Sequence, residues 1–286
     1  KEKILVLDGQ NKNSLAVVRS LSRKNFFVGI ASSSLFSLTS FSRKVNRRHI
    51  LGKFLDSEDY VKKVSKIVQN HNYDLVMPVG LESFMSFSQF RNYLSSNTKK
   101  LLPPFKSMNI ASSKPKTFRY AKELGIVTPQ TCEFSKNSLT KLGIFLEKTK
   151  FPIVVKGSLG GVDNLRYCNT FQQLKKALFH LFSYEEKLIC QEYVTGTGHG
   201  FYCNYNDGKL DHFFMHKRIK EYPITGGSSA VASSFYDDEL KEIGKKILDN
   251  LEWNGPAMVE FKYDRDSKNY KLIEINPKLW GSLDLT

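Results

Sequence analysis

Short apolar segments alternate with amphipathic segments over residues 1–102, and this alternation limits the fold more than any other feature of the chain. Apolar runs predict strands at residues 3–9, 26–31 and 74–79, and helical spacing predicts helices at residues 14–24, 56–71 and 81–94. Strand–helix alternation of this kind is typical of a parallel sheet covered by helices. The sequence therefore predicts an α/β fold for its N-terminal part.

The turn after the first predicted strand argues against a dinucleotide site. It reads DGQNKNS, from Asp8 to Ser14, and lacks the pattern GxGxxG. Without the later glycines of that pattern, the backbone cannot approach a pyrophosphate in the manner of such sites.

Three prolines break the alternation between residues 101 and 115, and we place a domain boundary there. Beyond it, helices are predicted at residues 117–124, 171–182 and 237–251, and strands at residues 151–158, 188–193, 257–263 and 270–276. Two further strands flank residues 206–208, and glycine-containing loops are predicted at residues 195–200 and 226–227. The C-terminal part is thus predicted to be α+β.

Composition and charge exclude some classes of protein and favour others. Among 286 residues, the apolar runs are far shorter than the ~20 residues that a membrane span requires. The N-terminus KEKILVLDG predicts a strand rather than a signal peptide.

The net charge of +15 would suit nucleic acid, an anionic membrane or a phosphorylated small molecule, but the basic residues are scattered, which favours a solvated surface. Four cysteines without CxxC spacing predict free thiols in a reducing compartment, the cytoplasm.

The last two predicted strands, AMVEFKYD and YKLIEINP, are the most informative segments. Because side chains alternate between the faces of a strand, Glu274 and Asn276 lie on one face. Pairing Glu260 with Glu274 leaves a hairpin loop at residues 265–269 and makes the two carboxylates neighbours. Two carboxylates and an amide oxygen suit Mg²⁺, which usually shares its ligands with substrate phosphates. The alternative is a solvated sheet face on which both carboxylates pair with lysines.

Lys156 follows the apolar run PIVV and precedes the glycine-rich segment GSLGG. Backbone N–H groups of such a loop can surround an anion while the ammonium group adds charge. The spacing is not that of a P-loop. Since a lysine before glycine at a strand end is also common in structural settings, this segment alone leaves both interpretations open.

Taken together, several segments resemble the ATP-grasp superfamily of carboxylate ligases, and most of all the stand-alone proteins similar to the large subunit of carbamoyl-phosphate synthase. In chain order they are SKPKTFRYAKELGIVTP, FPIVVKGSLGG, LICQEYVTGTGHG, HKRI with PITGGSS, and AMVEFKYD with LIEINPKLWGSL. The resemblance covers essentially the whole chain, and EINP after VEF is its most specific part. It implies an ATP-grasp fold preceded by a Rossmann-like parallel α/β domain.

The same resemblance implies a division into three parts. Residues 1–102 would form the Rossmann-like domain, residues 103–187 the central subdomain with a phosphate loop, and residues 188–286 the C-terminal subdomain with the adenine hinge and the metal site. Family members often continue past the position of Thr286, which leaves open whether part of the acceptor pocket lies outside this sequence.

By position in these motifs, the resemblance also implies the site residues. The nucleotide would be bound by Lys114, Lys156, Gly160, Gly161, Gln191, Glu192, Tyr193 and Val194, the last four at the adenine hinge. The catalytic residues would be Lys156, Arg218 and Lys278. Mg²⁺, or Mn²⁺, would be bound by Glu260, Glu274 and Asn276, in agreement with the hairpin argument.

Three positions depart from the family pattern. Ser113 stands where the family usually has Asp before its first lysine. Lys278 stands where Arg is common, and Lys cannot reproduce the bidentate contact of Arg with a carboxylate or phosphate. No acidic residue for the ribose is evident after Glu192, where Thr197 and His199 occupy that stretch.

The implied function is an ATP- and Mg²⁺-dependent ligase that activates a carboxylate as an acyl phosphate and transfers it to an amine. Its partners would be small-molecule carboxylate and amine substrates, and a homodimer stays open. Ser113 and Lys278 favour one alternative, an ATP-binding protein that is catalytically inactive or regulatory. A nucleic-acid-binding protein, suggested only by the charge, is the lesser alternative, because no aromatic–basic motif accompanies it.

Overall fold

The computed structural model describes residues 1–52, 56–157, 165–222 and 228–283. Within these ranges the strands form three sheets. Gly160, Gly161 and the predicted loop at residues 226–227 lie outside the described residues. Among the helices that are described, none combines the length and the apolar character needed to cross a membrane.

The first sheet is parallel, as the alternation predicts. Its strands are β1 (Lys3–Val6), β2 (Phe27–Ser32), β3 (Arg47–Ile50), β4 (Leu75–Met77) and β5 (Lys99–Lys100), and helices α1 (Lys12–Arg23), α2 (Ser57–His71) and α3 (Leu81–Gln89) lie between them in the chain. The spatial order is β3-β2-β1-β4-β5. Ile4, Leu5 and Val6 are all buried, as expected where helices cover both faces of a parallel sheet.

The second sheet is antiparallel and belongs to the middle of the chain. This region contains α4 (Phe105–Ala111), α5 (Lys114–Glu123), β6 (Thr131–Ser135), α6 (Leu139–Lys148), β7 (Ile153–Gly157), β8 (Arg166–Cys168), α7 (Phe171–Leu181) and β9 (Lys187–Glu192). The strand order is β6-β9-β7-β8. Helix α5 begins three residues earlier than predicted, since Pro115 is tolerated in a first turn, where N–H groups have no partner within the helix.

The third sheet is also antiparallel and carries the predicted C-terminal hairpin. Its elements are β10 (Gly196–Asn206), β11 (Lys209–Tyr222), β12 (Ser228–Ser234), α8 (Asp238–Asn250), β13 (Gly255–Asp264) and β14 (Asn269–Asn276). The strand order is β12-β11-β10-β13-β14. The first and third sheets share one hydrophobic core, in which Leu5 and Phe84 belong to the same cluster as Trp253 and Phe261.

The predicted pairing of Glu260 with Glu274 is confirmed, but the hairpin loop is shorter than expected. Asp264 pairs with Asn269, so the loop covers residues 265–268. The register shifts after Glu260, where Phe261 pairs with Leu272 and Ile273 is the extra residue. A β-bulge of this kind adds one residue to one strand, which removes one residue from the loop.

The predicted loop at residues 195–200 is wrong, because from Gly196 onward this segment is the beginning of β10. Its glycines serve close packing instead. A Cβ on Gly196 would lie 1.9 Å from the carbonyl oxygen of Tyr263, and the φ of Gly196 is +137°. A Cβ on Gly198 would lie 2.8 Å from Cδ of Arg218. Glycine at these two positions thus leaves room for the neighbouring backbone and side chain.

We predict that Gly196→Ala destabilises the chain by at least about 2 kcal/mol, because alanine meets both the carbonyl contact and an unfavourable φ. Gly143→Ala in α6 is the matched control, since nothing lies within 4 Å of the added Cβ. That change should stabilise the chain by about 1 kcal/mol through helix propensity. Urea unfolding of both variants measures the difference, and equal midpoints would contradict the assignment.

Candidate active site

Two largely buried carboxylates belong to paired residues of neighbouring strands, and each has its own cation. Arg218 Nη2 lies 2.7 Å from Glu260 Oε2, and Lys114 Nζ lies 2.9 Å from Glu274 Oε2. The side chains of Glu260 and Glu274 are 13% and 26% exposed. Paired carboxylates at this spacing repel each other unless opposite charge compensates them. The two ion pairs provide that compensation.

The two carboxylates differ in their electrostatic environment. Burial raises the pKa of Glu260, and the attraction of Arg218 offsets this only in part, while Glu274 adds to the increase. Burial would also raise the pKa of Glu274, but Lys114 and the hydrogen bond from Asn276 outweigh it and bring the pKa below its usual value. Glu274 is therefore the more firmly ionised member of the pair.

Asn276 completes an oxygen-rich group on the same face of β14. Its Nδ2 donates to Glu274 Oε1 at 2.9 Å, which leaves the Oδ1 atom of Asn276 as a further oxygen ligand. In the part of the chain that the structure describes, no three His, Cys, Asp or Glu side chains gather as a metal centre. Two carboxylates and one amide oxygen nevertheless fit Mg²⁺, which takes few protein ligands and fills its shell with phosphate and water.

Lys156 lies at the end of β7, buried to 6% exposure, and its Nζ donates to Gln191 Oε1 at 2.8 Å. Gln191 in turn donates from Nε2 to Thr131 Oγ1 at 2.9 Å. Burial and the charge of Lys114 lower the pKa of Lys156 to about 8, although Glu274 and Glu260 act in the opposite direction. Gln191, which the motif assigned to the nucleotide, thus holds Lys156 in place through its side chain.

Residues 192–194, which were expected to bind a base, contact lysine side chains that the sequence did not indicate. Glu192 Oε1 lies 2.5 Å from Lys271 Nζ. The carbonyl oxygen of Val194 accepts from Lys262 Nζ at 3.3 Å, and the same Nζ lies 5.0 Å from the centroid of the Tyr193 ring. Lys262 follows Glu260 by two residues, so strand alternation could have placed it on the site face.

Arg218 is held between two carboxylates above the glycines of β10. Besides Glu260, its Nη1 lies 3.4 Å from Glu221 Oε1. A Cβ on Gly198 would come within 3.1 Å of that Glu221 oxygen, so glycine at this position lets both side chains cross the strand. Glu221 is a second neighbour of the site that the sequence did not indicate.

The structure brings together Lys114, Lys156, Arg218, Glu260, Glu274 and Asn276. Lys278, two residues after Asn276, is half-buried and forms no ion pair with the described residues. Three cations around two carboxylates and an amide form a site suited to a polyphosphate with a divalent ion.

Solved structures with the same architecture were found by comparison, while no profile of a known protein family matches the chain. An L-amino acid ligase from Bacillus licheniformis superposes with a TM-score of 0.75 at 19% identity, covering 99% of this chain and 68% of that protein. A biotin carboxylase from Campylobacter jejuni in a β,γ-ATP complex gives 0.78 at 15% identity, with 98% and 66% covered.

A third structure contains bound nucleotide and metal. It is the biotin carboxylase domain dimer of the 2-oxoglutarate carboxylase from Hydrogenobacter thermophilus, in complex with MgADP, ADP and bicarbonate. Its TM-score is 0.73 at 14% identity, and the match covers 98% of this chain and 64% of that one. These likenesses show that the chain has the ATP-grasp fold, preceded by a parallel α/β sheet. It spans about two thirds of the length of the proteins it matches.

We predict a pH-dependent stability that depends on Lys156. Because its pKa falls from 10.5 to about 8 on folding, the unfolded chain binds more protons there between these pH values. Stability should therefore rise with pH through this window, by up to about 3 kcal/mol relative to Lys156→Met. Urea unfolding from pH 7.5 to 10.5 measures the slope. Lys176→Met, on the exposed side of α7, is the control expected to keep the wild-type slope, and identical slopes for Lys156→Met and wild type would contradict the prediction.

Proposed function

We propose that this chain is an ATP- and Mg²⁺-dependent ligase that activates a small carboxylate and joins it to an amine. One observation carries the proposal: the buried pair Glu260 and Glu274 lies between Lys114 and Arg218, with Lys156 beside them. The likeness in fold to the amino acid ligase named above supports the proposal. Within that fold, the EINP motif after VEF favours the proteins similar to the large subunit of carbamoyl-phosphate synthase.

The proposed roles follow from charge and position. Glu260, Glu274 and the Oδ1 atom of Asn276 would hold Mg²⁺, or Mn²⁺, which when bound neutralises and orients phosphate oxygens. Lys114 and Arg218, now paired with the carboxylates, would turn toward the phosphates, and Lys156 would contact them from β7. The backbone of Tyr193 and Val194 would contact the base. Gly160 and Gly161 would close over the phosphates as part of the glycine-rich segment.

In this reaction the protein mainly positions the reactants and stabilises the developing charge. The substrate carboxylate attacks the γ-phosphorus of ATP, which forms an acyl phosphate and releases ADP. An amine then attacks the acyl carbon and displaces phosphate. Lys156 and Arg218 stabilise the charge on the transferred phosphoryl group. Lys278 would contact the substrate carboxylate or the acyl phosphate as a single cation, without the bidentate geometry of Arg.

A second candidate is an ATP-binding protein without turnover. Two departures from the family pattern favour it, namely Lys278 in place of Arg and Ser113 in place of Asp. It predicts ATP binding by the same residues, but no ADP release that depends on an acceptor.

We predict that Glu274→Gln lowers ADP release at least about 100-fold, because the variant loses a charged metal ligand and the partner of Lys114. The assay contains ATP and Mg²⁺ with pooled amino acids and small carboxylates, against a lane without substrate. Glu147→Gln, exposed on α6, is the matched control that should retain wild-type turnover. Circular dichroism verifies folding of both variants.

The outcomes separate the two candidates. Release that depends on the pool and disappears in Glu274→Gln supports the ligase. Calorimetric ATP binding without any release supports the binding protein. Unchanged release from a folded Glu274→Gln chain would contradict the proposed site.

A further inference from the structure

An aromatic cluster adjoins the carboxylate pair on the same face of the third sheet. Its rings are Tyr202 from β10, His216 from β11 and Trp280, which follows β14. The Tyr202 ring centroid lies 4.5 Å from that of His216 and 4.7 Å from that of Trp280. Met258 and the partly buried Phe214 and Leu283 pack against the cluster. The residues of the cluster are therefore mostly apolar.

Strand alternation fixes where this cluster lies relative to the nucleotide. Met258, Glu260 and Lys262 share one face of β13, and steps of two residues along a strand measure about 7 Å. Lys262 contacts the carbonyl oxygen of Val194, at the base end. Met258 pairs with Tyr202 and with Asn276, at the opposite end. The carboxylates lie between the two ends, so the aromatic cluster lies on the side of the carboxylates that is far from Val194.

Two buried nitrogen atoms of the cluster have no hydrogen-bond partner within the described part of the chain. Among the residues that the structure describes, nothing bonds to His216 Nδ1 or to Trp280 Nε1. The two residues are only 1% and 8% exposed. Buried polar groups nearly always form hydrogen bonds, and leaving one unpaired destabilises the fold. Two such groups around one tyrosine indicate a position where a ligand supplies the missing acceptor.

The tautomer of His216 decides whether its Nδ1 is a donor. The hydroxyl of Tyr202 is bonded to His216 Nε2, and when Tyr202 donates in this bond, the proton of the neutral imidazole lies on Nδ1. Burial, with Arg218 and His199, lowers the pKa of His216 to about 4, so the ring is neutral at pH 7. The indole nitrogen of Trp280 is a donor only.

We propose that Tyr202, His216 and Trp280 form the carboxylate-substrate site, and that this substrate is a small carboxylic acid with an apolar or aromatic body. The N–H groups of His216 and Trp280 donate to an oxygen of its carboxyl group, while Phe214, Met258 and Leu283 contact its body. A charged body is disfavoured because apolar walls cannot replace its hydration. This inference rests on the proposed ligase function for its catalytic meaning, but binding at the cluster can be measured without turnover.

Fluorescence tests binding directly. The chain has two tryptophans, and Trp253 lies in the core with its Nε1 donating to the carbonyl oxygen of Pro256 at 3.3 Å. We expect L-phenylalanine and L-leucine, added with ATP and Mg²⁺, to change the emission of Trp280, and L-aspartate and L-lysine to leave it unchanged. Trp280→Phe retains a ring but removes the N–H group, and in this variant the change should be lost.

Kinetics and equilibrium binding test the donor role of His216. His216→Asn can keep a donor close to the Nδ1 position, whereas His216→Leu removes it. We expect His216→Leu and Trp280→Phe to weaken binding of L-phenylalanine, measured by calorimetry, at least ~10-fold. ATP affinity should stay unchanged, and His216→Asn should regain most of the lost affinity. In the ADP-release assay the same losses should appear in KM for the carboxylate rather than in KM for ATP.

Failure of this inference differs from failure of the proposed function. Binding of L-phenylalanine that Trp280→Phe abolishes supports the site, even if no ADP is released and the ligase proposal fails. Preference for L-aspartate or L-lysine overturns the inference, even if ADP is released. The inference is also overturned if wild type, Trp280→Phe and His216→Leu bind L-phenylalanine with equal affinity. It is overturned as well if none of the four amino acids binds.

Discussion

The candidate site depends on one electrostatic arrangement, two carboxylates on adjacent strands that stay buried because each has its own cation. Glu260 is paired with Arg218 from β11, and Glu274 with Lys114 from the start of α5. Removing either cation would leave an uncompensated buried charge, which is far more costly than an exposed one. The positions of β11, α5 and the hairpin are therefore coupled through these two ion pairs.

Each of the three sheets contributes differently to that arrangement. The third sheet supplies both carboxylates and Arg218 on one face, and the second supplies Lys156, held by Gln191. The first sheet shares a core with the third, so its helices support the back of the site rather than its polar face. Gly198 and Gly200 of β10 have no side chains, so Arg218 and Tyr202 can lie over the strand at these positions.

Much of the fold could be predicted from periodicity, because long amphipathic segments carry a strong local signal. The parallel sheet, α2, α8 and the pairing of Glu260 with Glu274 were all predicted. Shorter elements were missed: β6, β8 and α4 are held by neighbouring strands and the shared core more than by their own sequences. The glycine-rich start of β10 was mistaken for a loop because the groups that cross it come from distant positions in the chain.

Sequence alone determined which residues could carry the chemistry: two carboxylates and an amide in an alternating hairpin, a lysine before glycines, and the motifs around them. Alternation and charge are local properties, so they can be read along the chain. Only the tertiary structure decided which cation compensates which carboxylate, that Gln191 holds Lys156, and that Lys262 reaches the hinge. It also decided that two buried nitrogen atoms without hydrogen bonds to the described residues lie beside Tyr202. These contacts join residues from different strands and helices, and their geometry exists only after the sheets have packed together.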